Sequence, residues 1–223
     1  MEMPNIANVG ALIGDPVRAA MIGALMDGSE RPAGELAYMA GASAQAASAH
    51  LAKLVSGGIL RVRSQGRHRF YALRDSEIAH AIEALAVTVD QCREPATHRD
   101  PRLRRARRCY DHVAGALGVA LCDRLIAMGH VAAGGEGYQL TETGRTWFGG
   151  LGVDGTPPPR RPAIRPCLDW TERRPHLAGW YGAALCRLLE DRRLVHRDEN
   201  SRVLQVTPKG RLFLSEHFRL EWR

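Results

Sequence analysis

Ser43-Ala44-Gln45-Ala46-Ala47-Ser48-Ala49-His50-Leu51-Ala52-Lys53-Leu54-Val55-Ser56-Gly57-Gly58 reads as a helix written between its own start and stop signals. Ser43 suits the N-cap, where a hydroxyl satisfies a free backbone N–H, and the paired glycines close the far end. Ala47, Leu51 and Leu54 fall on one face, whereas Gln45, Ser48, Ala49 and Lys53 gather around the opposite one. One side packs and the other is left open.

Working upstream, Glu35-Leu36-Ala37 opens a shorter helix that Gly41 ends, and two helices joined by a tight glycine-containing turn make a helix-turn-helix. Between Ile6 and Met26 apolar residues recur at helical spacing with Gly14-Asp15-Pro16 interrupting them; Asp15 fits an N-cap, Pro16 a first turn, and Asp27-Gly28 a stop. Downstream, Ile59–Val62 and His68–Leu73 read as strands around Ser64-Gln65-Gly66-Arg67, a hairpin beside the helix, or wing. From Leu36 to Arg74 the chain has no Asp or Glu, while Lys53, Arg61, Arg63, Arg67, Arg69 and Arg74 crowd the second half of that segment. A one-sided positive field on a winged helix-turn-helix points to duplex DNA. Ala44, Ala46 and Ala49 let the helix enter a major groove closely, Gln45, Ser48 and His50 can reach base edges or phosphates, and Lys53 most simply meets phosphate. His50 reads equally well as a packing or capping residue. Arg63, Arg67 and Arg69 would straddle neighbouring phosphates or the minor groove. The expected DNA-binding set is therefore Ser43, Gln45, Ser48, Ala49, His50, Lys53, Arg63, Gln65, Arg67 and Arg69. The same fold without DNA contact would be a protein-interaction module; the acid-free surface favours DNA.

Five stretches, taken in order and spacing, resemble the ArsR/SmtB family of bacterial repressors: Ala11-Leu12-Ile13-Gly14-Asp15-Pro16-Val17-Arg18, Gly34-Glu35-Leu36-Ala37, Ser48-Ala49-His50-Leu51-Ala52-Lys53-Leu54, Gly57-Gly58-Ile59-Leu60, and Gly66-Arg67 before Tyr71-Ala72-Leu73. The resemblance covers roughly the first ninety residues. It implies a homodimer that holds a palindromic double-stranded operator and represses until an inducer weakens the grip. It also implies a dimer interface built from the first helix and the helix after the wing, Glu77 to Cys92. Two departures matter. The segment where family members carry a metal-binding cysteine reads Glu35-Leu36-Ala37-Tyr38-Met39-Ala40, and the dimerisation helix offers only His80 with Glu77 one turn earlier. Neither makes a tetrahedral site. Cys92 reads as a buried small residue.

The length, 223 residues, suggests two domains, expected at 1–97 and 98–223. With 45% hydrophobic and 25% charged residues both can bury a core, and the net charge of +7 fits a polyanionic partner without proving one. No secretory signal is visible, and the longest apolar run, Val113 to Cys122, is too short for a bilayer, so a cytoplasmic protein without membrane association is expected. The five cysteines are odd in number and widely spaced, which favours reduced thiols.

The second half repeats itself. A basic stretch from His98 to Arg108, read as a solvated linker, leads into His112-Val113-Ala114-Gly115 with Gly118, Cys122 and Leu125, which matches His176-Leu177-Ala178-Gly179 with Gly182, Cys186 and Leu189. Gln139-Leu140-Thr141 with Gly144-Arg145 answers Gln205-Val206-Thr207 with Gly210-Arg211, and a Pro-rich tether, Thr156 to Pro162, joins the copies. Each copy, 109–152 and 167–223, reads as helix, hairpin and short helix, a degraded winged-helix half. The whole is mainly α with small β-hairpins (α+β): a winged helix-turn-helix followed by two winged-helix-like repeats. The repeats are expected to pack about a pseudo-twofold axis that makes a pocket, with Cys122 and Cys186 in the core. Both copies hold Cys, Asp and His: Cys109, Asp111 and His112 in one, Cys167, Asp169 and His176 spread over a loop in the other. Spacing of three places Cys109 and His112 on one face if the segment is helical. As an effector site this set would take a soft metal ion, a small molecule or an oxidant; as structure, the two Asp residues would cap helices and each His would bond locally. An enzyme with a Cys nucleophile is disfavoured because duplication predicts symmetric copies, and no nucleophile elbow or phosphate-gripping Gly motif is present.

Overall fold

The computed structural model describes residues 6–90, 100–134, 137–159, 161–198 and 201–223. Cys92, the start of the basic stretch at His98 and the expected boundary between residues 97 and 98 lie outside them. The chain divides into two compact units, Met1–Ala79 and His80–Arg223. None of the helices among the described residues is long and apolar enough to cross a membrane.

In the first unit, α1 (Ile6–Ile13) and α2 (Pro16–Leu25) meet at Asp15, whose carboxylate accepts the Arg18 backbone N–H at 3.0 Å. β1 (Arg31–Pro32) leads into α3 (Ala33–Met39), and Gly41 turns the chain with φ +62 into α4 (Ala44–Ser56), capped by Ser43. Helices α2, α3 and α4 pack on one another through Met21, Ile22, Leu25, Leu36, Leu51 and Leu54. The wing is β2 (Leu60–Gln65) and β3 (His68–Leu73), antiparallel, with Gly66 at φ +60 opening a two-residue turn. The sheet order is β1-β3-β2; the short first strand was not legible in the sequence because two residues carry no alternation. α5 (Ser76–Asp90) follows, its first turn tied by the Asp75 carboxylate accepting the Ile78 N–H at 3.0 Å.

The second unit is two copies of one pattern. The short α6 (Pro101–Arg105) precedes the first: β4 (Arg107–Cys109), β5 (His112–Ala114), α7 (Gly115–Ala127), β6 (Val131–Gly134), β7 (Gly137–Leu140) and α8 (Glu142–Gly150). The second is β8 (Arg165–Leu168), β9 (Pro175–Ala178), α9 (Gly179–Asp191), β10 (Val195–Arg197), β11 (Leu204–Val206) and α10 (Pro208–Phe218). Each copy thus opens on a β-hairpin that the helix-first reading missed. Tyr110, at φ +57, closes a two-residue turn that makes Cys109 and His112 cross-strand partners, so their spacing of three belongs to a tight hairpin and not to a helix face. Cys167 and His176 are likewise paired across β8 and β9, leaving only Asp169 in the connecting loop.

The copies exchange contacts: α7 packs on β9 and α9 on β5. Close approach is possible because a Cβ on Gly118 would sit 2.4 Å from the Val113 carbonyl oxygen and 3.4 Å from the His176 Cβ, and one on Gly182 would sit 2.5 Å from the Leu177 oxygen and 3.5 Å from the His112 Cβ. Thr141 and Thr207 cap α8 and α10 by accepting the N–H of Gly144 and Gly210 at 2.9 and 3.0 Å. Cys122 and Cys186 lie in the shared apolar core with Leu121, Leu125, Phe148, Leu185 and Phe218. Between the two hairpins Cys109, Ala114, Cys167 and Ala178 form a small buried cluster, with His112 and His176 also buried.

Gly118→Ala or Gly182→Ala should lower the stability of the second unit by about 1–3 kcal/mol, the cost of overpacking. Gly150→Ala, where nothing lies within 4 Å, should stay within about 0.5 kcal/mol of the parent. Urea unfolding followed by circular dichroism distinguishes these outcomes.

Candidate functional site

The first unit presents α4 and the wing. Ser43, Gln45, Ser48, Ala49 and Lys53 are exposed while Ala47, Leu51 and Leu54 are buried, so the outward face is the polar one. His50 is half-buried, with Nδ1 3.3 Å from Arg18 Nη1 and 3.6 Å from Asp15 Oδ1; its contacts tie α4 to the start of α2. Arg67 and Arg69 are exposed on the wing. Arg63 is not open in the same way. Its Nε and Nη2 donate to Glu30 Oε2 at 3.0 and 2.9 Å, its Nη1 to Gln65 Oε1 at 3.1 Å, and Arg61 pairs with Glu30 Oε1 at 2.7 Å. Hydrogen bonding from Arg63, then Arg61, holds the Glu30 carboxyl below its ordinary range. The acid-free window in the sequence begins at Leu36, after this carboxylate, which the fold brings to the base of the wing.

In the second unit four side chains converge: Cys109, His112, Cys167 and His176 are all buried, and their donor atoms lie within 4.8 Å of one another. Each hairpin supplies one Cys and one His as cross-strand partners. The two imidazoles face each other, Nε2 to Nε2, at 3.1 Å. Behind each ring stands a carboxylate: Asp111 Oδ1 lies 3.1 Å from His112 Nδ1, and Asp169 Oδ2 lies 3.4 Å from His176 Nδ1, close enough to pair though longer than a good hydrogen bond. A carboxylate only accepts, so it favours the proton on Nδ1 and leaves the Nε2 lone pair pointing inward. Two lone pairs at that distance repel unless a cation, a proton or a metal ion, lies between them.

The carboxylates are themselves held. Asp169 accepts from Arg107 Nη2 at 3.0 Å, from the Gly115 N–H at 2.7 Å and from the Thr171 hydroxyl at 2.6 Å. Arg107 is fully buried, its guanidinium 4.6 Å from the Trp170 ring centroid. Asp111 pairs with Arg161. The end of the basic stretch read as a solvated linker is built into the unit, where Arg107 meets Asp169 and Arg108 meets Glu190 at 3.0 Å, while Arg102, Arg104 and Arg105 are exposed. Arg107 and Arg108 find their acidic partners in the second repeat, which no local reading of charge could find. The structural reading of Asp169 also survives in altered form, since it binds the first N–H of a helix in the other repeat.

Burial would raise the Asp169 carboxyl, but His176, Arg107 and Thr171 outweigh it and hold the group far below the usual carboxylate range. Burial pulls the His176 imidazolium down, and Asp169 and Cys109 more than offset this, raising it to about 9. His112 is raised in the same sense by Cys109 and Asp111 against its burial. A hydrogen bond with Cys167, together with burial, pushes the Cys109 thiol far up. Two further groups sit above the cluster on α5. His80 stacks on His112 with centroids 5.5 Å apart, and Glu83 is buried against Arg202 at 3.0 Å.

Known proteins resemble the chain over stretches of different length. Residues 13–63 match a family model described as a helix-turn-helix domain. Over 226 residues the chain is 38% identical to the uncharacterized HTH-type transcriptional regulator YdfF of Bacillus subtilis (strain 168), covering 98% of this chain and 99% of that protein. The HTH-type transcriptional regulator CmtR of Mycobacterium tuberculosis is 36% identical over 96 residues, 41% of this chain and 80% of that protein. Among solved structures, the homodimeric winged helix-turn-helix DNA-binding domain of Mb0332 from Mycobacterium bovis, a possible ArsR-family regulator, is 26% identical over 43% of this chain and 87% of that one, with a TM-score of 0.37. The cadmium sensor CMTR from Mycobacterium tuberculosis is 31% identical over 42% of this chain and 94% of that one, with a TM-score of 0.32.

Asp169→Asn should destabilise the second unit by about 3–5 kcal/mol, because it strands the Arg107 charge in the interior. Asp123→Asn, which removes an exposed pair with Arg174, should cost no more than about 1 kcal/mol. Chemical denaturation of the two variants measures the contrast.

Proposed function

Because this chain belongs to the HTH-type transcriptional regulators, with an ArsR-type winged helix-turn-helix at its N-terminus, we propose that it acts in the cytoplasm as a dimeric repressor released by an effector sensed in its C-terminal unit. DNA binding and regulation of transcription follow from the family. The observation that carries the repressor's grip on DNA is the outward face of α4, where Gln45, Ser48, Ala49 and Lys53 are exposed above a packed apolar stripe. On this reading α4 lies in a major groove, with Gln45 and Ser48 at base edges and Ser43 and Lys53 at phosphates, and Arg67 and Arg69 reach the backbone beside it. Gln65, Arg63 and His50 position these readers, since each is engaged with protein groups. The dimer is supported by α1, which buries none of its residues and leaves Ile6 and Val9 exposed. A dimer would set two recognition helices about 34–36 Å apart, one turn of DNA.

The effector site is the Cys109, His112, Cys167 and His176 cluster, with Asp111 and Asp169 behind it. Thiolate and imidazole donors suit a soft or borderline metal ion. Release requires that the effector bind the DNA-free arrangement more tightly than the DNA-bound one.

Lys53→Ala and Arg67→Ala should each weaken binding to every duplex and reduce the salt slope of log K by about 1, whereas Gln45→Ala should relax preference at one base position. Glu30→Gln, by freeing Arg61 and Arg63, should tighten binding and steepen the slope. Fluorescence anisotropy over a salt series tests all four. A purified chain with no preference for any duplex at low salt would overturn the proposal.

A further inference from the structure

The converging donors specify more than a generic soft ligand. Counting charge, Asp111 is matched by Arg161, Asp169 by Arg107 and Glu83 by Arg202, so the carboxylates around the cluster are already neutralised. What remains when the two thiols lose their protons is a charge of two minus, which a doubly positive ion cancels. A monovalent ion would leave a buried negative charge, and a trivalent arsenic or antimony centre wants three thiolates where only two are present. Sulfur and nitrogen donors in equal number turn away magnesium and calcium, which take oxygen. Four protein donors from a pair of hairpins leave no open position, the mark of a closed rather than a catalytic site. The carboxylates at Nδ1 supply the outer support that metal-bound histidines ordinarily have.

We infer that the C-terminal unit binds one divalent cation of the zinc–cadmium class between its two repeats, held tetrahedrally by Cys109 and His112 from one hairpin and by Cys167 and His176 from the other. The inference rests on the reading of this cluster as the effector site, and names its ligand. It has a consequence for the fold: an ion with half of its ligands in each repeat cross-links them, so its affinity adds directly to the stability of the unit. His80, stacked on His112, places α5 against the same centre.

The test uses the full chain, reduced and stripped with a chelator, titrated with Co(II) in the absence of DNA. The expected result is saturation at one equivalent per chain, with visible bands of tetrahedral cobalt and a thiolate-to-cobalt charge-transfer band, both abolished by Zn(II) or Cd(II), and a higher thermal midpoint for the loaded chain. Cys109→Ser with Cys167→Ser should lose the charge-transfer band, and Asp111→Asn should keep the spectrum while weakening affinity about 10–100-fold. A silent titration of the parent chain, saturation at half an equivalent, or a charge-transfer band that persists in the double variant overturns the inference; if that variant fails to fold, the parent titration decides alone. Operator binding measured alongside separates the two readings. A chain that binds operator but shows no tetrahedral cobalt sinks the metal site and spares the repressor, and a chain with the reverse pattern does the opposite.

Discussion

Asp169 carries a charge in a place water does not reach, and the second unit is arranged to make that tolerable. An isolated carboxylate there would cost several kcal/mol. Arg107 from the other repeat, the first N–H of α7 and the Thr171 hydroxyl each give it a hydrogen bond, and His176 stands against it. Once the carboxylate is fixed, the imidazole it faces is oriented, and the inward nitrogen of that ring meets its counterpart from His112. The packing of α7 on β9 and α9 on β5 brings these groups together, and the glycines at 118 and 182 let the helices come close enough to do so.

The first unit solves a different electrostatic problem. It must show positive charge to a partner yet hold its own wing in shape before that partner arrives. Glu30 bridges Arg61 and Arg63 at the base of the wing, and Arg67 and Arg69 lie exposed nearer its tip. Two of the hairpin's arginines are thus tied to a carboxylate from outside it, while the two nearer its turn are not.

Much of the first unit was legible because its signals are local. Caps at Asp15 and Ser43, stops at Gly41 and Gly57-Gly58, and the three-to-four spacing of Ala47, Leu51 and Leu54 each act within a few residues, and the structure places every one where the sequence implies. The repeat in the second half was equally legible, as was the presence of Cys, Asp and His in both copies. What the sequence concealed was long-range. The spacing of Cys109 and His112 is shared by a helix face and a tight hairpin, and Tyr110 in a left-handed conformation, a choice that no propensity favours, decides between them. Arg107 sits in a run of arginines that looks solvated until Asp169, far along the chain, is folded against it. Arg161, in the Pro-rich tether, gave no sign that it would meet Asp111.

The twofold relation between the hairpins has one more implication. Two separate copies of a single repeat could in principle assemble the same quartet of donors, but only at concentrations high enough to drive dimerisation. Joining them in one polypeptide replaces that encounter with an intramolecular one, at an effective concentration on the order of millimolar, and it frees the two halves to diverge. The divergence is visible: a two-residue turn presents one aspartate and a longer loop the other, and different arginines steady them. Covalent linkage of the repeats makes their pairing a property of every molecule, whatever its abundance.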